Sequence, residues 1–324
     1  MGFYYTPPRY GDVSLAIENI DLLSVRSEIA TIHEELPWDL LLDGVTGMDE
    51  ILAGKEDLIA YLRSKGLDLF FMADLTDGLS RGEEPPILRG LGRSITEAFV
   101  RQRYRDYVLA FVQRFDPNYI GLTAETNLVR QAADPAVYNA VVQAANAAAG
   151  DLAAAGATAP LLISVQVETA WGVLTGAGPY EGIAQDLVDF PFVQILGLSS
   201  YPYFGYSQPE DIPDNYYSRL LNGRSLPVMV CEGGWPSASF ATVVSSPQLQ
   251  ARYITRQADL LDSVQARAVI QTLFTDIDLD SVPQPYPAIL PLFTTLGLMS
   301  LEGDDFIAKP ALDEWDHLYS RSLD

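Results

Sequence analysis

The chain has 324 residues, 48% of them hydrophobic, and is therefore long enough to bury the core of one large α/β domain. Its 20 lysines and arginines stand against 43 aspartates and glutamates, and the net charge of −23 disfavours nucleic acid and anionic membranes as partners. A single cysteine, Cys231, excludes an internal disulfide, and no apolar run approaches the roughly 18 residues of a membrane-spanning helix.

Apolar strand-like runs alternate with amphipathic helical runs along the chain, which is typical of βα units on a parallel sheet. We predict strands at 3–6, 39–45, 67–75, 119–124, 161–167, 192–199, 226–232 and 268–275. The first intervening helix is expected to include Leu15 to Ile29, another helix to begin at the capping-box pattern Ser94 to Glu97, and closing helices to fill 285–323. The pattern predicts a (β/α)8 TIM barrel, one domain over residues 1–324.

The predicted strand ends carry acidic and aromatic residues, and barrel enzymes place their active residues at such ends. Glu232 is the clearest case, since glutamate is a poor strand former and costs several kcal/mol when buried without a partner. The strand-end candidates are Asp43, Asp74, Glu125, Glu168, Tyr201, Tyr203, Glu232, Trp235 and Asp276, with Asn127 and Trp171 close behind strands four and five.

The two histidines, His33 and His317, both fall in predicted helices, so the pattern disfavours a metal site with imidazole ligands. We expect no metal and no cofactor, with a carboxylate-bound Mg²⁺ site as the alternative. Glutamates at the ends of strands four and seven suit hydrolysis of a glycosidic bond. That reaction needs one carboxylic acid to protonate the leaving oxygen and one carboxylate to attack the anomeric carbon.

Three segments carry a resemblance: YIGLTAETN (119–127), LGLSSYPYF (196–204) and VMVCEGGWPS (228–237). In this order they resemble strands four, six and seven of the retaining (β/α)8 glycoside hydrolases of clan A. The nearest likeness is to the endo-β-1,4-galactanase family 53, and EGGWPS is also similar to family 17 β-1,3-glucanases. The resemblance implies that Glu125 is the general acid/base and Glu232 the nucleophile. It also implies that Tyr201 donates a hydrogen bond to the nucleophile and keeps it ionised and oriented. The expected substrate-binding residues are Asp43, Asp74, Asn127, Glu168, Trp171, Tyr203, Trp235 and Asp276.

The sequence departs from that clan in two places. Ala124 stands where the clan usually has an asparagine before the acid/base, and strand eight has Phe274 and Asp276 where a tryptophan is usual. An alternative is therefore a barrel that binds carbohydrate, or scaffolds a complex, without turnover. For individual residues, Trp171 and Trp235 are either sugar platforms or loop packing, and the aspartates are either lining residues or caps.

The expected partner is a carbohydrate substrate, for a chain that acts as a monomer without nucleic acid or membrane insertion. The first residues lack the features of a signal peptide, so the protein is either cytoplasmic or exported by a signal that is absent from this sequence. The sequence leaves the location unknown, and the substrate class favours an extracellular or periplasmic one.

Overall fold

A parallel sheet of short strands organises the computed structural model, which describes residues 1–174, 176 and 178–321. The strands are β1 (Gly2–Tyr4), β2 (Ile29–Glu35), β3 (Asp68–Asp74), β4 (Tyr119–Gly121), β5 (Leu161–Gln166), β6 (Ile195–Ser200), β7 (Val228–Gly233) and β8 (Ala268–Gln271). They form a closed barrel in sequence order, with β8 paired to β1. The predicted (β/α)8 TIM barrel is therefore confirmed.

Helices connect the strands. They are α1 (Val13–Ser24), α2 (Trp38–Leu42), α3 (Met48–Ala53), α4 (Glu56–Ser64), α5 (Pro86–Gly90), α6 (Ala98–Phe115), α7 (Thr126–Ala132), α8 (Pro135–Ala154), α9 (Val167–Ala170), α10 (Ala184–Asp189), α11 (Ser218–Leu221), α12 (Pro247–Asp262) and α13 (Pro310–Tyr319). Short 3₁₀ turns lie at Pro202–Phe204, Pro209–Asp211, Leu279–Ser281 and Leu290–Leu292. None of the helices in the described part of the chain is both long and apolar enough to cross a membrane.

The prediction of the second strand was wrong. Residues 39–42 lie in helix α2, and residues 43–45 follow it. The second strand is β2, which begins at Ile29, a residue that the prediction places in the preceding helix. Ala30 and Ile32 are buried in β2, and Pro37 ends the extended run. The three consecutive leucines of α2 favour a helix, in which Leu41 is buried on the same face as Trp38.

Helix α6 and the end of the chain also differ from the prediction. Helix α6 begins at Ala98 rather than Ser94, because Glu84 Oε1 accepts hydrogen bonds from Ser94 Oγ and the Ile95 N–H and holds this segment as a turn. The end of the chain also contains a hairpin, β9 (Met299–Glu302) and β10 (Asp305–Ala308), before its one helix, α13. Residues 322 and 323 of the predicted closing helices lie outside the described residues.

The chain divides into two compact units. The first unit contains Met1–Thr31, Val167–Gly182 and Leu198–Asp324. In its core, Phe3 packs against Phe274 with ring centroids 5.1 Å apart and against Trp315 at 4.7 Å. Helices α12 and α13 pack together in this unit.

The second unit contains Ile32–Gln166 and Ile183–Gly197. Strands β3, β4 and β5 pair in parallel there, with Phe71 opposite Ile120 and Ile120 opposite Leu161. The ring of Phe71 stacks on Phe111 of α6 at a centroid distance of 3.8 Å, so α6 covers this sheet segment. The prediction of one domain over residues 1–324 stays a prediction.

Candidate active site

Glu232 lies next to the carboxyl end of β7, in the first unit. Residues Val228 to Val230 before it are buried, as expected for a strand of a parallel sheet, and Glu232 itself is 7% exposed. Its Oε2 accepts a hydrogen bond of 2.8 Å from Tyr4 Oη, and its Oε1 accepts one of 2.6 Å from Ser199 Oγ. Hydroxyl donors on both oxygens orient the carboxylate and favour its ionised form.

Tyr4 was missed by the sequence analysis. It is the last residue of β1, so the strand-end rule selects it once the strand is ended there rather than at Thr6. Burial raises the pKa of the Tyr4 hydroxyl well above its usual value, and the charge of Glu232 raises it further. Tyr4 therefore stays protonated near neutral pH and can donate its hydrogen bond to Glu232 over that pH range.

Tyr201, the tyrosine expected to hold Glu232, follows β6 in the same unit. Its hydroxyl lies 3.1 Å from Thr272 Oγ1, which also accepts a 2.8 Å hydrogen bond from the Gly233 N–H. Tyr201 is thus linked through Thr272 to the backbone next to Glu232. Its role towards the Glu232 carboxylate stays a prediction.

Tyr203 and Trp235 pack against each other beyond the ends of β6 and β7, with ring centroids 6.1 Å apart. Tyr203 is buried, and its pKa is raised well above the usual value by burial and then by the charges of Glu168 and Glu232. Trp235 is 1% exposed, and its Nε1 donates to Ser245 Oγ at 3.0 Å. Of the two roles left open for Trp235, the structure therefore favours loop packing over an exposed sugar platform.

Glu168 and Trp171 both contact Tyr216. Glu168 lies in α9, directly after β5, where it is fully buried and accepts a 2.7 Å hydrogen bond from Tyr216 Oη. The Trp171 ring stacks on Tyr216 at 5.2 Å, and the guanidinium of Arg219 lies 4.8 Å from the Trp171 ring. Trp171 is half-buried, with protein groups packed against its ring.

Asp276 follows β8 but forms an ion pair instead of presenting a free carboxylate. Lys309 Nζ lies 2.5 Å and 2.6 Å from its two oxygens and also donates to Ser237 Oγ and the Gly297 carbonyl. Burial raises the pKa of Asp276 to about 6, although the charge of Lys309 opposes that shift. The pair ties the end of β8 to the segment before α13, which favours a structural role over the predicted substrate contact.

Lys309→Met is expected to lower the free energy of unfolding by about 3 kcal/mol, because Asp276 loses its cation and two other acceptors lose a donor. Urea unfolding at pH 7 measures this. The matched control is Lys65→Met, whose ammonium group lies over the Tyr61 ring at 4.9 Å and whose loss should cost less than about 1 kcal/mol. Equal losses in the two variants would contradict the structural role of the pair.

Glu125 lies in the second unit, between β4 and α7, and is 7% exposed. Its backbone has φ +48° and ψ +45°, the left-handed conformation, and its N–H donates to Ser164 Oγ at 2.9 Å. This conformation costs a non-glycine residue of order 1–2 kcal/mol and recurs at functional sites. The Glu125 side chain makes no capping hydrogen bond to α7.

A buried charged network surrounds Glu125. Arg81 Nε donates to Glu125 Oε2 at 2.7 Å, and Arg81 Nη1 donates to Asp74 Oδ2 at 2.5 Å. His33 Nε2 lies 2.8 Å from the same Asp74 oxygen. Burial would raise the pKa of Asp74, but Arg81 and His33 outweigh it and hold that pKa well below its usual range.

Arg81 and His33 are two further residues that the sequence analysis missed or misplaced. His33 was assigned to a helix and lies in β2, whereas His317 lies in α13 as predicted and is exposed. A correct β2 would have put His33 on a strand before Glu35. Arg81 lies in a loop without periodicity, and no signal in the sequence distinguishes it from the other arginines.

Two other candidates turn out to serve the backbone. Both ends of the Asn127 amide bind the Gln166 backbone at 2.8 Å, which fixes α7 against β5. Asp43 was expected at a strand end, but it is exposed at the end of α2, where its Oδ1 accepts from the N–H groups of Val45 and Thr46. The strand position that motivated Asp43 as a binding residue was wrong.

Within residues 1–174, 176 and 178–321, no group of three or more histidine, cysteine, aspartate and glutamate side chains is arranged to hold a metal ion.

No protein-family model matches the sequence, and no curated protein sequence matches it. The structure does resemble solved structures. An exo-β-1,4-mannosidase from Opitutaceae bacterium strain TAV5 matches 98% of this chain with a TM-score of 0.69 and 15% identity. A variant of a GH5_18 protein from Bifidobacterium longum subsp. longum, in complex with Manb1-4GlcNAc, matches 98% with a TM-score of 0.66 and 15% identity.

A third similar structure is the GH1 β-glucosidase from Exiguobacterium antarcticum B7, with a TM-score of 0.64 and 10% identity over 93% of this chain. This chain spans 58%, 77% and 85% of the three proteins, respectively, and so little more than half of the mannosidase. At these identities the likeness shows the fold. The chain has the (β/α)8 barrel fold that these GH5 and GH1 proteins share.

Proposed function

We propose that this protein is a retaining glycoside hydrolase that cleaves a β-linked oligo- or polysaccharide. The observation that carries the proposal is the setting of Glu232, a nearly buried carboxylate next to the end of β7 with a hydroxyl donor on each oxygen. Hydroxyl donors favour the ionised form of such a carboxylate and hold it in one orientation, which is what an attacking nucleophile requires.

In the proposed reaction, Glu232 attacks the anomeric carbon while Glu125 protonates the leaving oxygen. Water, deprotonated by Glu125, then releases the sugar from Glu232. The retaining mechanism requires the two carboxyl groups to flank one glycosidic bond at about 5 to 5.5 Å. No cofactor takes part, and activity is expected to survive treatment with a chelator.

The similar structures support the reaction class, since they include an exo-β-1,4-mannosidase and a β-glucosidase. They favour β-linked mannose or glucose as the first sugars to test. The likeness to families 53 and 17 adds β-1,4-galactan and β-1,3-glucan to that set. We also propose that the protein acts as a monomer, outside the cytoplasm, and without a nucleic-acid partner.

The direct experiment measures reducing-sugar release from galactan, mannan, xylan and β-1,3- and β-1,4-glucans, together with aryl β-mannosides and β-glucosides. Release of sugar from at least one substrate, unchanged by chelator, is the expected result. Loss of activity with chelator would favour the carboxylate-bound Mg²⁺ alternative. If folded protein releases sugar from none of these substrates, the result would count against hydrolysis.

Tyr4→Phe is expected to lower kcat/KM by about 10- to 100-fold, because a hydrogen bond to a charged group is lost at the nucleophile. Steady-state kinetics on the best aryl β-glycoside measures the effect. Tyr10→Phe is the matched control, since Tyr10 is 65% exposed. A Tyr4→Phe protein with wild-type kinetics would show that the bond to Glu232 has no part in turnover.

A second candidate function is carbohydrate binding without turnover. Two observations favour it: Ala124 replaces the usual asparagine, and Glu125 is paired with Arg81. Calorimetric titration with manno- and cello-oligosaccharides separates the two functions, because the binding-only barrel takes up ligand and forms no product over days.

A further inference from the structure

The pairing of Glu125 with Arg81 bears on what Glu125 can do. A general acid must carry a proton before the reaction, and enzymes usually secure that proton by placing the carboxyl group in apolar or like-charged surroundings. Here a guanidinium lies 2.7 Å from Glu125 Oε2 in a buried setting, where Arg81 is 5% exposed. A close opposite charge favours the ionised carboxylate.

The loop that carries Arg81 holds it in place. Backbone hydrogen bonds close the loop on itself, from the Asp77 N–H to the Glu83 carbonyl and from the Glu83 N–H to the Ser80 carbonyl. Gly82, the next residue, approaches α7 so closely that a Cβ atom there would lie 2.9 Å from the Ala132 carbonyl oxygen. This segment therefore presents Arg81 from a fixed backbone.

Asp74 anchors the other side of the guanidinium. It accepts from Arg81 Nη1 and is approached by His33, while its Oδ1 accepts from the Thr76 N–H. Arg81 pairs with both Asp74 and Glu125, so the guanidinium is shared between two carboxyl groups, and His33 pairs with Asp74. Glu35 and Tyr104 also face Asp74, since burial and then nearby negative charge, that of Asp74 included, raise the pKa of both. Because the Arg81 guanidinium is held between Asp74 and Glu125, its charge can influence whether Glu125 is protonated.

We infer that Arg81 is a positioning residue that favours the ionised form of Glu125, and that the protein therefore cleaves β-glycosides with acidic leaving groups faster than those whose leaving group is a sugar. This inference rests on the proposed function. In the first step Glu232 bonds to the anomeric carbon and the bond to the leaving oxygen breaks. An acidic phenol departs as its anion and needs no proton, whereas a sugar alcohol must take one from Glu125.

In the second step the ionised Glu125 is an advantage. It takes a proton from water, the water oxygen bonds to the anomeric carbon, and the ester bond to Glu232 breaks, which frees the Glu232 carboxylate. Glu125 then releases its proton to solvent and is ionised again. Arg81 thus favours the base role of Glu125 over its acid role. General acid catalysis is worth roughly 10²–10⁴-fold, so the selection between leaving groups is expected to be large.

The test compares kcat/KM for 2,4-dinitrophenyl and phenyl β-mannosides and β-glucosides, which differ in leaving-group acidity. Wild-type protein is expected to prefer the dinitrophenyl glycoside by at least about 10³-fold, because the phenyl glycoside depends on acid assistance. Arg81→Gln is expected to reduce that ratio at least about tenfold, and Arg81→Lys, which keeps the charge, to preserve it. Arg93→Gln, at a half-buried pair with Glu97, is the matched control and should leave the ratio unchanged.

The outcomes separate the two proposals. If wild-type protein hydrolyses none of these glycosides, the proposed function fails and the inference fails with it. If wild-type protein is active, Glu232→Gln is inactive and Arg81→Gln keeps the wild-type ratio, the inference alone is overturned. Should Arg81→Gln not fold, the wild-type protein still decides: a small preference between the two leaving groups contradicts the inference, and a steep preference retained by Arg81→Lys supports it.

Discussion

Glu232→Gln protein is expected to hydrolyse β-glycosides at least about 10³-fold more slowly than wild type, because an amide cannot form the glycosyl ester that the proposed mechanism needs. The change keeps the size of the side chain and leaves an oxygen that one of the two hydroxyl donors, Tyr4 or Ser199, can still reach. The fold should therefore persist. The measurement is kcat on the best aryl β-glycoside found in the substrate panel.

Glu302→Gln is the matched control for that experiment, since Glu302 is exposed on β9. It should have wild-type kcat, and both variants should have wild-type circular dichroism spectra. A Glu232→Gln rate within tenfold of wild type would show that Glu232 is not the nucleophile.

Asp74→Asn is expected to lower the free energy of unfolding by about 3 to 5 kcal/mol at pH 7. The variant leaves Arg81 buried with less than its full complement of negative charge, and breaking a buried pair by removing one partner costs about that much. Equilibrium unfolding in guanidinium chloride measures the difference. Asp305→Asn, at an exposed position of β10, is the control and should change stability by less than about 0.5 kcal/mol.

The same pair of proteins gives a pH dependence with a definite sign. Burial acts to raise the pKa of Asp74, yet Arg81 and His33 hold it below that of an unfolded aspartate, which is about 3.9. A lowered folded-state pKa contributes stability above the unfolded value, and that contribution is lost as the pH falls below it. The stability gap between wild type and Asp74→Asn should thus be full at pH 7 and shrink below about pH 4. A gap that stays constant down to pH 3 would contradict this.

The barrel could be predicted because its signal is distributed along the whole chain. Seven of the eight strands, β1 and β3 to β8, overlap the apolar runs from which they were predicted. The exception, β2, follows α1 after a four-residue connection, and the sequence offers no glycine or proline there to end the helical pattern. The leucine-rich α2 then supplied a false strand, because a short apolar run has no distinguishing period.

The candidate site was less accessible to sequence analysis. Strand-end position selected Glu232, Glu125 and Asp74, which the structure places at or just beyond the ends of β7, β4 and β3. Their partners follow no such rule. Arg81 comes from an irregular loop, and its contact with Glu125 joins residues 44 positions apart.

Two residues that were predicted to bind substrate from their positions at strand ends instead contact other side chains of the protein. Asp276 pairs with Lys309, and Trp235 is buried against Tyr203 and Tyr253. A position at a strand end predicts roughly where a side chain lies, but not which neighbour it binds. Those neighbours often come from loops, whose conformation depends on tertiary contacts.

The most direct test of the account is covalent trapping of the nucleophile. Folded wild-type protein is incubated with 2,4-dinitrophenyl 2-deoxy-2-fluoro-β-mannoside and the corresponding β-glucoside, and the digested protein is mapped by mass spectrometry. The account predicts one fluorosugar per chain, bound to the peptide that contains Glu232 and absent from Glu232→Gln. A label on another residue, or hydrolysis of the parent glycosides without any label, would contradict the proposed mechanism.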